Sequence, residues 1–177
     1  LKAAVLLNTE PVHDSAAGAQ AEAALAGAEM VVTLSPFKTN MEFSDVLLPI
    51  APFTETSGSF VNAEGRIQSF HAVVRPLGDT RPAWKVLRVL ANLLGVPGFD
   101  FETSQDVLAR ATNAPAGTVT QVPAAQLSNA VKAVPAATAA AGEPVVASIY
   151  QLDGLVRRST SLQLTADARM AREGVAA

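Results

Sequence analysis

Three short apolar runs constrain this chain more than anything else in it: residues 3–7 (AAVLL), 30–34 (MVVTL) and 46–50 (VLLPI). None alternates apolar with polar residues. Each therefore reads as a strand, the second as a buried one and the third as covered on both faces, as in the sheet of an α/β protein. Pro49 cannot donate to a ladder, which sets the end of the third strand beside it. Between the first two runs, Asp14 or Ser15 is placed to cap a helix through the alanines to Ala26, with Gly27 as its stop. Strand, helix, strand makes a right-handed βαβ unit. The spacing Thr39-x-x-Glu42 is that of a capping box and predicts a second short helix through Phe43. The order β-α-β-α-β is half of a doubly wound, Rossmann-like sheet, whose ligands sit beyond the carboxyl ends of the strands. Those ends are residues 8–10, 35–37 and 51–57.

Beyond the third strand, residues 60–61 and 66–68 flank Asn62-Ala63-Glu64-Gly65, a turn sequence that predicts a β-hairpin. Residues 70–74 read as a continuing strand, broken by Arg75-Pro76-Leu77-Gly78. Pro82 suits the first turn of a helix in which Trp84, Leu87, Ala91 and Leu94 share one face, and Gly95 ends it. Ser104 is placed to cap a shorter helix carrying Val107, Leu108 and Ala111. From Thr112 to Pro144 the composition turns to Ala, Pro, Thr, Val and Gly. That stretch reads as a linker or surface extension with a short helix near 124–134. Residues 145–150 read as a strand, and a charge-poor tail with the pair Arg157-Arg158 follows. The expected organisation is a partial α/β domain over 1–111, an extension over 112–144 and a lead-in to a further domain over 145–177. A chain that opens in mid-strand without Met is expected to be a piece of something longer, poorly soluble alone because its sheet edges are uncovered.

The 177 residues carry a formal net charge of −3, which does not recommend nucleic acid or an anionic membrane as partner. With no cysteine, disulfides, thiolate zinc sites and iron–sulfur ligation are excluded within these residues. No apolar run approaches the ~20 residues a membrane helix needs. His13 lies in a loop beside Glu10 and Asp14, where a surface hydrogen-bonding role is favoured over a metal or acid–base one; His71 reads as a strand surface residue. Glu55 and Glu64 flank the hairpin and are placed to accept backbone N–H groups at turns. Asn62 and Gly65 are explained by turn geometry. Arg66 could hold a phosphate, but an ion pair with Glu64 or Glu55 is favoured. No phosphate-binding glycine loop is present, and no catalytic set can be nominated.

Read together, Ser44-Asp45-Val-Leu-Leu-Pro49, Glu55-Thr-Ser-Gly58 and Asn62-Ala-Glu64-Gly65-Arg66-Ile-Gln68 resemble the long, fixed-spacing motif of the molybdopterin oxidoreductase superfamily. The resemblance covers roughly residues 3 to 111. It implies the second half of that family's Rossmann-like domain, with Asp45, Pro49, Glu55, Gly58, Asn62, Glu64, Gly65 and Arg66 as structural motif positions. In catalytic members the loops matching Asn8, Glu10, Ser35, Thr39 and Glu55 help hold a pterin guanine dinucleotide. Asn8-Thr-Glu10-Pro11 with His13-Asp14, and the tail Val156-Arg157-Arg158 through Ala168, resemble more closely one branch of the superfamily. That branch is the large iron–sulfur subunit of bacterial NADH:quinone oxidoreductase, respiratory complex I. The resemblance implies a structural part of the peripheral arm with no catalytic residue, metal or cofactor of its own. Iron–sulfur clusters would lie in a missing N-terminal part, and a β-barrel domain would follow the tail. Partners would be the rest of the subunit and other peripheral-arm subunits, at the cytoplasmic side of the inner membrane and without direct insertion. The alternative is part of a catalytic enzyme of the formate dehydrogenase or nitrate reductase type, with molybdopterin. A second alternative is a non-enzymatic α/β interaction domain.

Overall fold

The computed structural model describes residues 1–113 and 148–173. The predicted helix near 124–134 and the 112–144 extension lie almost wholly outside them. Three parallel strands form the first sheet in the order β1 (Ala3–Leu7), β2 (Met30–Ser35), β3 (Val46–Pro49). Val5 pairs with Val32 and Val32 with Val46, so one row of β-branched residues crosses the sheet. Leu34, Val31 and Thr33 of the central strand are its largest fully buried side chains. On one face Leu25, Val31 and Phe43 form a core against which Ala4, Leu6 and Ala28 pack.

The first crossover is built from two pieces, α1 (Pro11–Asp14) and α2 (Gly18–Ala26). The single helix predicted from an Asp14 or Ser15 cap is therefore broken, and Ala17 precedes α2 without any side-chain cap. Gly18 explains the break. A Cβ there would stand 2.1 Å from the Val12 carbonyl oxygen, so α2 can start against α1 only with glycine at this position.

The helix predicted from Thr39-x-x-Glu42 does not form; residues 41–43 are a turn. Asn40 takes a left-handed φ of 58°, and its carbonyl accepts from the Phe43 and Ser44 N–H groups. The third strand is not buried on both faces as its apolar run implied. It is the last strand of this sheet among the described residues, and Val46 is 38% exposed. Its neighbour Ile50 is buried by a bridge to Arg81.

A short 3₁₀ turn, Phe53–Glu55, leads to the antiparallel hairpin β4 (Gly58–Val61) and β5 (Ile67–Phe70). The Asn62 carboxamide oxygen accepts from the Glu64 and Arg66 N–H groups at 3.0 and 2.8 Å, and Gly65 has φ +79°. Turn geometry does account for Asn62 and Gly65. The strand expected to run on to Val74 stops at Phe70, because the Val73 and Val74 N–H groups both turn back to the Thr54 carbonyl. α3 (Ala83–Leu93) follows Pro82. α4 (Ser104–Thr112) is capped by Thr103 rather than Ser104, in a reciprocal capping box with Asp106. Hydrogen bonds from the Thr103 side chain and from the Thr103 and Glu102 backbone hold the Asp106 carboxyl below its usual range.

The tail departs from expectation as well. Ile149 and Tyr150, assigned to a strand, open α5 (Ile149–Leu152), and α6 (Gly154–Arg158), α7 (Thr160–Gln163) and α8 (Ala166–Glu173) follow. Ser148 and Asp153 supply the caps: the Ser148 hydroxyl accepts from Tyr150 N, and the Asp153 carboxylate accepts from Leu155 N and Val156 N. These local polar bonds satisfy the first N–H groups of each helix, which a strand here would leave to a partner strand.

Candidate functional site

The carboxyl ends of the parallel strands converge on an open cleft of about 820 Å³. Leu7, Asn8 and Glu10 line it from the first strand, Ser35 and Phe37 from the second, and residues 50–53 from the third. Phe60 and Phe70 of the hairpin, stacked at 5.0 Å between centroids, form a further wall. The fourth side is the tail, through Leu152, Asp153, Gly154, Leu155 and Arg157.

Hydrogen bonds fix the loops at this end. Asn8 has φ +50° and its N–H donates to the Leu34 carbonyl at 2.8 Å, turning the chain off the strand. The Ser35 hydroxyl accepts from Phe37 N at 3.0 Å. The buried Asn40 side chain donates to the Thr9 carbonyl at 3.0 Å, tying the first loop to the segment after β2. Asp45 secures the other end of the sheet: its carboxylate accepts from Val31 N at 2.6 Å.

Glu10 is the centre of the cleft's electrostatics. Arg157 reaches its Oε2 at 2.9 Å and Arg158 its Oε1 at 2.8 Å, and the Glu10 side chain is only 13% exposed. Burial alone would push the Glu10 carboxyl up. Hydrogen bonds from Arg158, Arg157 and Thr39, with the charge of Arg158, outweigh it and hold the group below the usual glutamate range. The Arg158 guanidinium also lies 4.2 Å from the centre of the Phe37 ring.

The candidate residues divide accordingly. Asn8, Glu10 and Ser35 come together in this cleft, while Thr39 lines a neighbouring pocket that it shares with Glu10. Glu55 does not. Its Oε2 accepts from Leu77 N at 2.9 Å, so it closes a turn, and it lines a separate cleft of about 700 Å³ with Arg75, Arg81, Trp84 and Lys85. Glu64 is exposed and donates its N–H to Asn62. Arg66 forms an ion pair with neither Glu64 nor Glu55; the ion pairs among the described residues both involve Glu10. His13 lies on α1 and His71 just past β5, both exposed. The arginine pair stood out in the sequence, but no local pattern connects it to Glu10, nearly 150 positions away.

The molybdopterin oxidoreductase family profile matches residues 1–93, slightly more than half of the chain. The chain belongs to that family. Over 70 residues, 40% of this chain, it is 41% identical to the Bacillus subtilis (strain 168) protein YjgC, provisionally named an oxidoreductase. Over 75 residues, 42% of this chain, it is 39% identical to a Staphylococcus aureus (strain bovine RF122 / ET3-1) protein, SAB2186c, provisionally named a formate dehydrogenase. These matches span 7% and 8% of the relatives' own lengths.

A pterin guanine dinucleotide would bring a negatively charged diphosphate to the strand ends. The carboxylates Glu10, Asp14 and Asp153 line the cleft with the guanidinium of Arg157, and the Arg158 guanidinium stands behind them on Glu10. The Arg157 guanidinium is already committed to Glu10 and to the carbonyls of Gln151 and Leu152. As arranged, carboxylates outnumber guanidiniums at the cleft, and both arginines are engaged by Glu10, which disfavours a diphosphate. No described helix is long and apolar enough to cross a membrane.

Proposed function

We propose that this chain is a scaffold segment of an electron-transferring oxidoreductase, in which the family's cofactor end is closed by the chain's own tail. The parent on this reading is the large iron–sulfur subunit of respiratory complex I. The observation that carries it is the convergence of Arg157 and Arg158 on the enclosed Glu10 at the carboxyl end of the sheet. An ion cluster there occupies the ground where a dinucleotide would be held. The likeness of residues 8–14 and of the tail to that complex I subunit supports the same parent. On this reading the segment binds no cofactor and packs against the rest of its subunit and neighbouring peripheral-arm subunits. The iron–sulfur clusters that carry electrons from NADH toward quinone lie elsewhere in the parent polypeptide, on the cytoplasmic side of the membrane.

A second reading is a catalytic molybdopterin oxidoreductase of the formate dehydrogenase or nitrate reductase type. The names of the relatives back it more directly than they back complex I. On this reading the loops at Asn8, Ser35 and Thr39 hold pterin, and the arginines leave Glu10 for the diphosphate.

Metal analysis of the parent polypeptide purified from its source separates the two. Iron without molybdenum or tungsten is expected. Stoichiometric molybdenum or tungsten with bound pterin overturns the scaffold reading in favour of the catalytic one.

A further inference from the structure

From the contacts of the tail with the sheet we infer that residues 148–173 form an ionically held strap: a helical unit with its own internal bonding, fastened across the cleft by Arg157–Glu10–Arg158 and released as salt rises. The inference concerns the mechanics of this contact and holds for either parent.

The strap's internal bonds do not need the body. Ser148 and Asp153 cap its first helices, and the Gln163 carboxamide donates to the Tyr150 and Val156 carbonyls at 2.9 and 3.0 Å, tying α5, α6 and α7 together. Arg158 donates to the Gly154 carbonyl at 3.0 Å, so the arginine is already braced before it meets Glu10. Apolar attachment, by contrast, is thin. Ile149, Leu152 and Leu155 remain 63%, 44% and 59% exposed, and the buried hydrophobic residue of the described tail is the small Ala168. Besides the approach of α5 to α1, what joins strap to body is the pair of charged contacts and the stacking of Arg158 on Phe37.

The Arg158 side chain is 32% exposed, close enough to water for ions to compete, while Arg157, at 16%, is screened less. At 1 M salt the screening length falls to about 3 Å, comparable to the contact distance itself. The enclosed Glu10 keeps the strap seated at low salt, and loss of either sign of charge frees it.

Because the chain has no cysteine, a double variant with Ala16→Cys on the body and Thr160→Cys on the strap takes two spin labels cleanly. Both positions are exposed. Pulsed electron–electron distance measurement on the full chain at 50 mM salt is expected to give one narrow, short distance. At 1 M salt at least half of that population should move to longer, broader distances. Glu10→Arg should release the strap at 50 mM salt, and adding Arg157→Glu and Arg158→Glu to it should restore the short distance by inverting the triad. A distance distribution unchanged between 50 mM and 1 M salt overturns the strap. So does release by Glu10→Arg that the inverted triad fails to restore, since the defect would then be one of shape rather than charge.

Discussion

The parallel sheet and the C-terminal tail are held by different forces. In the sheet, Val31, Thr33 and Leu34 are completely buried, and backbone ladders run the length of β2 on both sides. In the tail, helices of four and five residues survive on caps, a glutamine brace and an ion cluster, with their leucines facing water. Burial of apolar area is non-directional and involves no titrating group, and salt does not screen it away. Charge pairing is directional, and its strength depends on solvent conditions. The two regions should therefore fail under different challenges, and each challenge below is chosen to move one and spare the other.

The largest effect is expected from Leu34→Ala in the middle of the sheet. Removing a fully enclosed leucine leaves a cavity and should cost about 3 kcal/mol, read as a lowered midpoint in urea denaturation. A loss below ~1 kcal/mol would mean that the sheet is not the body's stabilising core. Gly18→Ala comes next. The added Cβ collides with the Val12 carbonyl, and forcing α1 and α2 apart should cost about 2 kcal/mol in the same measurement. Wild-type stability in that variant would show that the two helices do not meet so closely.

The smallest effect on global stability, confined to the tail, is expected from acid. Glu10 has a folded-state pKa below its ordinary value, so its contribution is fully present above the unfolded glutamate value of about 4.3 and is lost as pH falls through the lower folded value. The groups facing it are Arg157 and Arg158 from α6, His13 and Asp14 from α1, and Lys38 and Thr39 from the loop after β2. Of these, the two arginines keep their charge throughout, so protonation of Glu10 leaves them facing each other unpaired. Limited proteolysis at pH 7 and pH 3.5 should show the tail cut faster at the lower pH, and Glu10→Gln should abolish most of that difference. Equal pH sensitivity in the variant would assign the effect to another carboxylate.

Much of the body was legible because its signals are local. An unbroken apolar run implies a strand, Asn62 with Gly65 implies a turn, and the spacing of Trp84, Leu87 and Ala91 implies the helix that α3 provides. The failures were local signals overruled by distant partners. Thr39 had capping-box spacing, yet Asn40, with its left-handed φ, bends the chain away from a helix. Ile149 and Tyr150 had strand propensity, yet Ser148 caps them into a helical turn that Gln163 braces from below. Arg66 followed Glu55 and Glu64 closely in sequence, yet the ion pairs among the described residues involve neither of them.

The three strands and the hairpin were thus settled by the sequence itself, because the pattern of apolar and turn residues records short-range geometry, and the family by the resemblance of residues 44–68 to a fixed-spacing motif. The fastening of the tail over the strand ends was decided only by the tertiary structure. Glu10 and the arginine pair lie nearly 150 positions apart, and a charge's partner is chosen by the three-dimensional approach of the backbone, which no local spacing encodes.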